Sequence, residues 1–146
     1  MINTSYPMNL DLWKPIHNFT PDEFGCVDMD GILIYTLQNL RKFVGKPIVI
    51  HCGYEPRQTG GFHPKKCAVD LHIVGMDLID QFLAASRFDA FNGIGVYSYW
   101  NSPGLHLDTR PKQNKFDNDA RWGCLESGKY VPLDRSFFEK VIKGKV

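Results

Sequence analysis

A chain of 146 residues with 17 Lys and Arg against 16 Asp and Glu carries a formal charge of +1, and no basic stripe interleaved with aromatics appears, so no nucleic-acid partner is expected. With 43% apolar residues, including ten Phe, six Tyr and three Trp, it can build an ordinary core, and one domain over residues 1–146 is expected. No window approaches the roughly eighteen apolar residues of a membrane span, and Met1-Ile-Asn-Thr-Ser-Tyr-Pro-Met-Asn-Leu10 lacks the charged-then-apolar order of a secretory signal, so cytoplasmic synthesis without a signal peptide is expected.

Residues 1–18 read as an irregular lead-in that packs through Trp13 and Ile16. Thr20-Pro-Asp-Glu23 is a helix start, with Thr as N-cap, Pro at the first helical position and Glu at the capping-box position; Gly25 keeps that helix short. Leu33, Leu37, Leu40 and Val44 repeat at three- and four-residue spacing and predict a helix from Asp30 to Val44, ended by Gly45 and Pro47. Ile48-Val-Ile-His-Cys52 is a β-branched strand, Gly53 to Gly61 a loop, and Cys67 to Ile73 the next strand. Asp77 through Arg87 reads as a helix with Leu78, Ile79, Phe82 and Leu83 inward. Gly93 to Trp100 is a strand whose small residues mark a close approach, Asn101-Ser-Pro-Gly104 is turn chemistry, and Leu105 to Arg110 returns as a hairpin partner. Residues 111–128 read as a long polar loop. A last helix begins at Asp134 and packs Phe137, Phe138, Val141 and Ile142, and its basic end, Lys140-Val-Ile-Lys-Gly-Lys145, reads as a solvated terminus. Strands and helices mix without strict alternation, which favours the α+β class. The four scattered cysteines, Cys26, Cys52, Cys67 and Cys124, read as reduced, mostly buried thiols, with a thiol nucleophile at Cys52 or Cys67 the lesser alternative.

Chemistry concentrates at three residues. His63 and Asp70 stand at the two ends of His63-Pro-Lys-Lys-Cys-Ala-Val-Asp70, where a proline-led turn enters an apolar strand; His106 lies in Gly104-Leu-His-Leu-Asp-Thr-Arg110, whose alternation reads as a half-buried strand. A single strand histidine is more often a satisfied polar residue than a ligand. Asp70, however, interrupts an apolar run, and a buried unpaired carboxylate would cost several kcal/mol, so it must meet a cation. Two imidazoles and a carboxylate suit Zn²⁺, and three protein ligands leave a fourth position for water, which zinc can bring to a pKa near ~7.

Residues 48–110 resemble the zinc D-alanyl-D-alanine carboxypeptidase and dipeptidase family, which shares its fold with the hedgehog signalling domain. The family motif Ser-x-His-x-x-Gly-x-Ala-x-Asp corresponds to Gly61-Phe-His-Pro-Lys-Lys-Cys-Ala-Val-Asp70, with His63, Ala68 and Asp70 matching and Gly61 and Lys66 in place of Ser and Gly. The family's second His arrives on a later strand, as His106 does, and Gly93-Ile-Gly-Val-Tyr97 is also similar; Phe19-Thr-Pro-Asp-Glu-Phe24 resembles the phage and bacterial branch. The resemblance implies a hedgehog/DD-peptidase-like fold, a central mainly antiparallel sheet flanked by helices, with a single Zn²⁺ on His63, Asp70 and His106. Two departures stand out. Where the family often has Gly-Tyr-Arg-Ser, this chain has Gly53-Tyr-Glu-Pro-Arg57, and the acidic base that dipeptidase-type members carry three residues before the second His is replaced by Pro103.

Amide hydrolysis also needs an acid/base. Asp108 shares a strand face with His106 and is the first choice, the alternative being that it orients that histidine through its free N–H; Glu55 is the second candidate. Arg57, and equally Arg110, would stabilise an oxyanion or dock a substrate carboxylate, the alternative for each being a surface ion pair. His72 is a substitute ligand candidate, His51 reads as packing or hydrogen-bonding, His17 has no partner pattern, and Tyr97, Tyr99 and Trp100 are candidates for a groove wall. The expected function is a zinc-dependent peptidoglycan peptidase that cuts an amide of the stem peptide, a monomer suited to phage or prophage lysis that acts on the cell wall after release. The alternative is a non-catalytic, metal-bearing wall-binding module or virion component of the same fold. The motifs do not specify which peptide bond is cut.

Overall fold

The computed structural model describes residues 6–112 and 118–144 and is α+β, with one six-stranded sheet and a few helices. The expected lead-in over residues 1–5, residues 113–117 of the expected loop and Lys145 of the basic end lie outside the described residues. Strands β1 (Ile48–Cys52), β2 (Ala68–Ile73), β3 (Gly93–Tyr97), β4 (Gly104–Asp108), β5 (Ala120–Glu126) and β6 (Lys129–Pro132) lie in the order β1-β2-β4-β3-β5-β6. Every neighbouring pair is antiparallel except β3 and β5, which run parallel.

Alternation along the strands sorts the sheet into two faces. Val69, Leu71, Ile73, Ile94, Val96, Leu105 and Leu107 join one apolar cluster with Leu33, Ile34, Leu37 and Leu40 of helix α3 (Gly31–Val44), all of them essentially without exposed surface. The intervening positions, among them Asp70, His106 and Asp108, carry the polar chemistry of the opposite face. Central β4 is buried at every position, so the expected half-buried strand is corrected: it lies between β2 and β3 and is covered on both sides.

The helices follow their local signals. Short α1 (Leu10–Trp13) interrupts the expected irregular lead-in, and Trp13 and Ile16 are buried as expected. Helix α2 (Pro21–Phe24) has the Thr20–Glu23 capping box and ends at Gly25 in the left-handed conformation. Helix α4 (Leu78–Ala85) buries Leu78, Gln81, Ala84 and Ala85; Leu83 is 54% exposed, so its expected inward position is corrected. Gln81 takes an inward place because its amide is used: it accepts from the backbone N–H of Ile73 and donates to the carbonyls of Met76 and Pro103. In α5 (Arg135–Lys143), capped by Asp134, Phe137 and Val141 are buried while Ile142 points outward.

The expected loop over 111–128 is also corrected, since Ala120–Glu126 is β5 and Lys129–Pro132 is an edge strand. The apolar alternation of β5 is hidden because two of its core-side positions are Arg121 and Gly123. Arg121 donates to the carbonyls of Phe91 and Asn92, and Gly123 leaves room for the ring of Phe137, which an added Cβ would strike. The strand expected over Gly93–Trp100 ends at Tyr97, and the chain then bends through Ser98–Trp100. Among the described residues no helix is long and apolar enough to cross a membrane, and all four cysteines are free, two buried and two half-buried.

Asp30, 3% exposed, gathers the segments that deliver the polar face. Its carboxylate accepts from the backbone N–H of Leu33 at the start of α3, from that of Tyr6, and from Thr109 Oγ1 at the end of β4, while its own N–H donates to the carbonyl of Lys66. Asp30→Ala removes a helix cap and leaves the buried Thr109 hydroxyl only its long 3.5 Å contact with the Cys67 carbonyl. Urea unfolding should show a loss of roughly 2–4 kcal/mol; a loss within experimental error of zero would contradict this role.

Candidate metal centre

Register brings the two strand residues together: Asp70 of β2 stands opposite His106 of β4, with Gly95 of β3 next in line and Trp122 of β5 beyond it. His63 arrives differently, on a single 3₁₀ turn (His63–Lys65) closed by Lys66 in the left-handed conformation, φ 64°. A lysine there is strained by roughly 1–2 kcal/mol relative to ordinary backbone. Its ammonium pairs with Asp28 at 2.6 Å and lies over the ring of Tyr54, which offsets part of that strain.

One ligand atom from each of His63, Asp70 and His106 lies within 4.8 Å of the others. Asp70 Oδ1 is 3.3 Å from His63 Nε2 and 3.1 Å from His106 Nδ1. The far nitrogen of each ring is already engaged. His63 Nδ1 lies 2.8 Å from the carbonyl oxygen of Gly53 and donates its N–H to it, so Nε2 is the nitrogen that faces Asp70. His106 Nε2 lies 2.7 Å from Asp108 Oδ2, which leaves Nδ1 facing Asp70. Two imidazoles fixed in this way around a carboxylate can hold a metal ion, and far-nitrogen partners of this kind are what orient ligand histidines.

Each partner is itself fixed. The Gly53 segment is tied to α2 by the Tyr54 N–H to Phe24 carbonyl bond, and a Cβ at Gly53 would strike the Phe24 backbone. Asp108 has no exposed surface and accepts from the backbone N–H, Nε and Nη2 of Arg110. Gly93, opposite Asp108, has no side chain because a Cβ would meet that carboxylate; at Gly95 it would meet the rings of Trp122 and Tyr97. The close approach expected of the small residues in this strand is therefore made by site side chains.

Burial pushes the carboxyl of Asp70 up, but hydrogen bonds from His106 and His63 overcome it and hold the group at about 2. Burial likewise opposes ionisation of Asp108, and Arg110 and His106 hold it well below the carboxylate range. Burial lowers the imidazole of His106, yet the carboxylates of Asp108 and Asp70 raise it above its ordinary 6.5.

Of the other candidates, Arg57 does not reach the centre: its side chain is 89% exposed and forks onto Glu55 of its own turn. That pairing lowers the Glu55 carboxyl as well and occupies it. Asp108 lies across the His106 ring from Asp70, enclosed by Arg110, a position that suits orientation of the histidine and not collection of a proton from the cavity. His51 and His72 lie outside the three-residue group.

The cavity over the centre measures about 570 Å³ and is walled by Phe62, Tyr97, Tyr99, Trp100, Trp122 and Tyr130. Tyr97 and Trp100 stack at 4.5 Å, and the Trp122 ring sits 5.3 Å from that of His106. Trp122 Nε1 donates to the hydroxyl oxygen of Tyr97, whose own proton is pushed up to about 12, chiefly by burial. Trp122 and Tyr130 escaped the sequence reading because they join the site only through the parallel pairing of β5 with β3. The one local sign was Gly95, whose missing side chain makes room for a partner.

Comparison of the chain with protein-family models, with curated proteins and with solved structures gives no match.

Proton and metal would compete for His106 Nδ1, the nitrogen that faces Asp70 while Nε2 faces Asp108. Since the His106 value is raised, that competition begins above 6.5 and deepens as pH falls. Metal affinity measured against a competing chelator should climb with pH by up to about tenfold per pH unit until His106 has lost its proton, and level off above that. A flat profile would mean that His106 is not a ligand.

Proposed function

We propose that this chain is a zinc-dependent peptidoglycan peptidase of the hedgehog/DD-peptidase fold that hydrolyses an amide bond of the stem peptide. The observation that carries the reading is the His63–Asp70–His106 cluster with both far imidazole nitrogens already held. Two nitrogens and one carboxylate oxygen are a ligand set that suits zinc with an open position. A second support comes from Lys66. The motif that this chain resembles has glycine at that position, and the backbone there is left-handed, the conformation glycine adopts most readily.

Bound zinc supplies Lewis acidity and a nucleophile at neutral pH. The residues of the chain supply the rest. His63, Asp70 and His106 hold the ion, and Gly53 and Asp108 fix the two rings, so Asp108 is a positioning residue. Tyr97, protonated at neutral pH and already accepting from Trp122, has its O–H to donate to the carbonyl oxygen of the scissile amide as that oxygen gains charge. The aromatic walls orient the peptide and exclude water along the groove. A small domain of this kind suits a phage or prophage lysis enzyme acting as a monomer on the cell wall after release.

One observation favours the non-catalytic alternative, a metal-bearing module that grips cell wall. Among the described residues lining the cavity the only carboxylate is Asp70, a member of the cluster itself, and Pro103 offers no proton acceptor. Purified sacculi separate the two readings. A peptidase releases new free amino groups, no reducing sugar, and loses activity with chelator and in His63→Ala. Binding to sacculi without new amines would replace the peptidase with the binding module.

Asp108→Asn tests the positioning role. Metal affinity should fall about 10- to 100-fold, with much of the amide hydrolysis recovered at saturating zinc. A fall in turnover of about 10²–10⁴-fold at unchanged zinc content would instead make Asp108 the proton acceptor.

A further inference from the structure

A second pair of imidazoles lies on the same face of the sheet, beside the first centre. β1 and β2 pair regularly from Ile48 opposite Ile73 to Ile50 opposite Leu71, and a bulge then sets Cys52 opposite Asp70 with His51 as the extra residue. Bulges of this kind re-aim side chains next to functional sites. Cys52 lines the cavity of the first centre, whereas His51 lines an adjoining groove together with Asp70, Trp100 and Ser102. Beside that groove, His51 Nε2 lies 2.6 Å from Nδ1 of His72, which stands two residues beyond Asp70 and so on the same face. The Trp100 ring packs 5.3 Å from that of His51 and limits its swing. His51 is exposed and His72 half-buried, so the pair lies at the solvent side of the sheet.

Two imidazole nitrogens that face each other at this distance share one proton. A small rotation of the rings makes room for an ion, and the shared proton needs only to move to the far nitrogen of its own ring, so no proton has to leave the pair. Imidazole suits the borderline ions zinc, copper and nickel, and Asp70, which borders both grooves, supplies negative charge close by.

We propose that His51 Nε2 and His72 Nδ1 form a second, weaker transition-metal site, separate from the His63–Asp70–His106 centre. It is weaker because two protein ligands leave the remaining coordination to water. It does not depend on the first centre being catalytic.

Calorimetric titration of metal-free protein with Zn²⁺ tests this. The unaltered chain should bind two ions per molecule, one tightly and one weakly. His51→Ala and His72→Ala should each lose the weak event and keep the tight one, with melting temperatures showing that the fold persists. The double variant His63→Ala, His106→Ala should do the reverse. His51→Gln and His72→Gln, which keep polarity and bulk but lack an imidazole, should behave as the alanine variants do. A single binding event in the unaltered chain that survives His51→Ala and His72→Ala, or a weak event that both substitutions leave in place, overturns the proposal. A chain that shows only the weak event, abolished by His51→Ala, would leave this site standing and remove the first.

Discussion

The charge that the rest of the site depends on is Asp108, an ionised carboxylate with no exposed surface in the central strand of the sheet. A buried ion is tolerated only when its lone pairs are filled, and removing one partner of such a group typically costs about 3–5 kcal/mol. Here the guanidinium of Arg110 folds back in a fork onto the carboxylate, its planar face packed over Phe62 and Trp122. His106 meets the same carboxylate with Nε2. That contact fixes the rotation of the imidazole, and the rotation decides that Nδ1 points at Asp70. Gly93 follows from the same requirement, since any side chain there would occupy the space of the carboxylate. One buried charge thus dictates a glycine, an arginine and the orientation of the His106 ring.

What could be read from the sequence was whatever is local. The capping box at Thr20–Glu23, the period of Leu33, Leu37 and Leu40, and the β-branched run Ile48–Ile50 each contain their own evidence, and each forms the expected element. Asp70 stood out for the same reason, because a carboxylate inside Cys67–Ile73 is anomalous without reference to any other strand. Features set by pairing were not legible. β5 conceals its strand character because Arg121 and Gly123 occupy core-side places, and Trp122 becomes part of the site only when it lies beside Gly95. Arg57 is near the site in sequence but was drawn away by Glu55 within its own turn, at a distance no pattern encodes. The place of Asp108 shows the limit well: spacing puts it on the face of His106, but only the fold shows which side of the ring it occupies.

The sheet divides its labour by face, and the division rests on register. A slip of one residue in β2 or β4 would carry Asp70 and His106 into the apolar cluster and bring Leu71 and Leu105 to the cavity, a change the core would strongly oppose. The hydrophobic face therefore aligns Asp70 with His106 as a by-product of burying leucines, and neither residue has to specify the register. What the polar face adds is relief: Gly95 lets Trp122 and Tyr97 lean across the row, and the bulge at His51 places two side chains where a regular strand would place one.

This arrangement bears on what a metal contributes here. In a structural zinc domain the ion replaces a missing core, and the chain unfolds without it. In this chain the core is complete beneath the sheet, and among the described residues no buried side-chain polar atom lacks a partner. His106 spans two carboxylates and His63 holds the Gly53 carbonyl, so protein contacts orient both rings towards Asp70. An ion held by this cluster would displace any proton on His106 Nδ1. The His63–Asp70–His106 cluster is thus built into the fold by its own hydrogen bonds, and it opens on one side to a groove of aromatic rings.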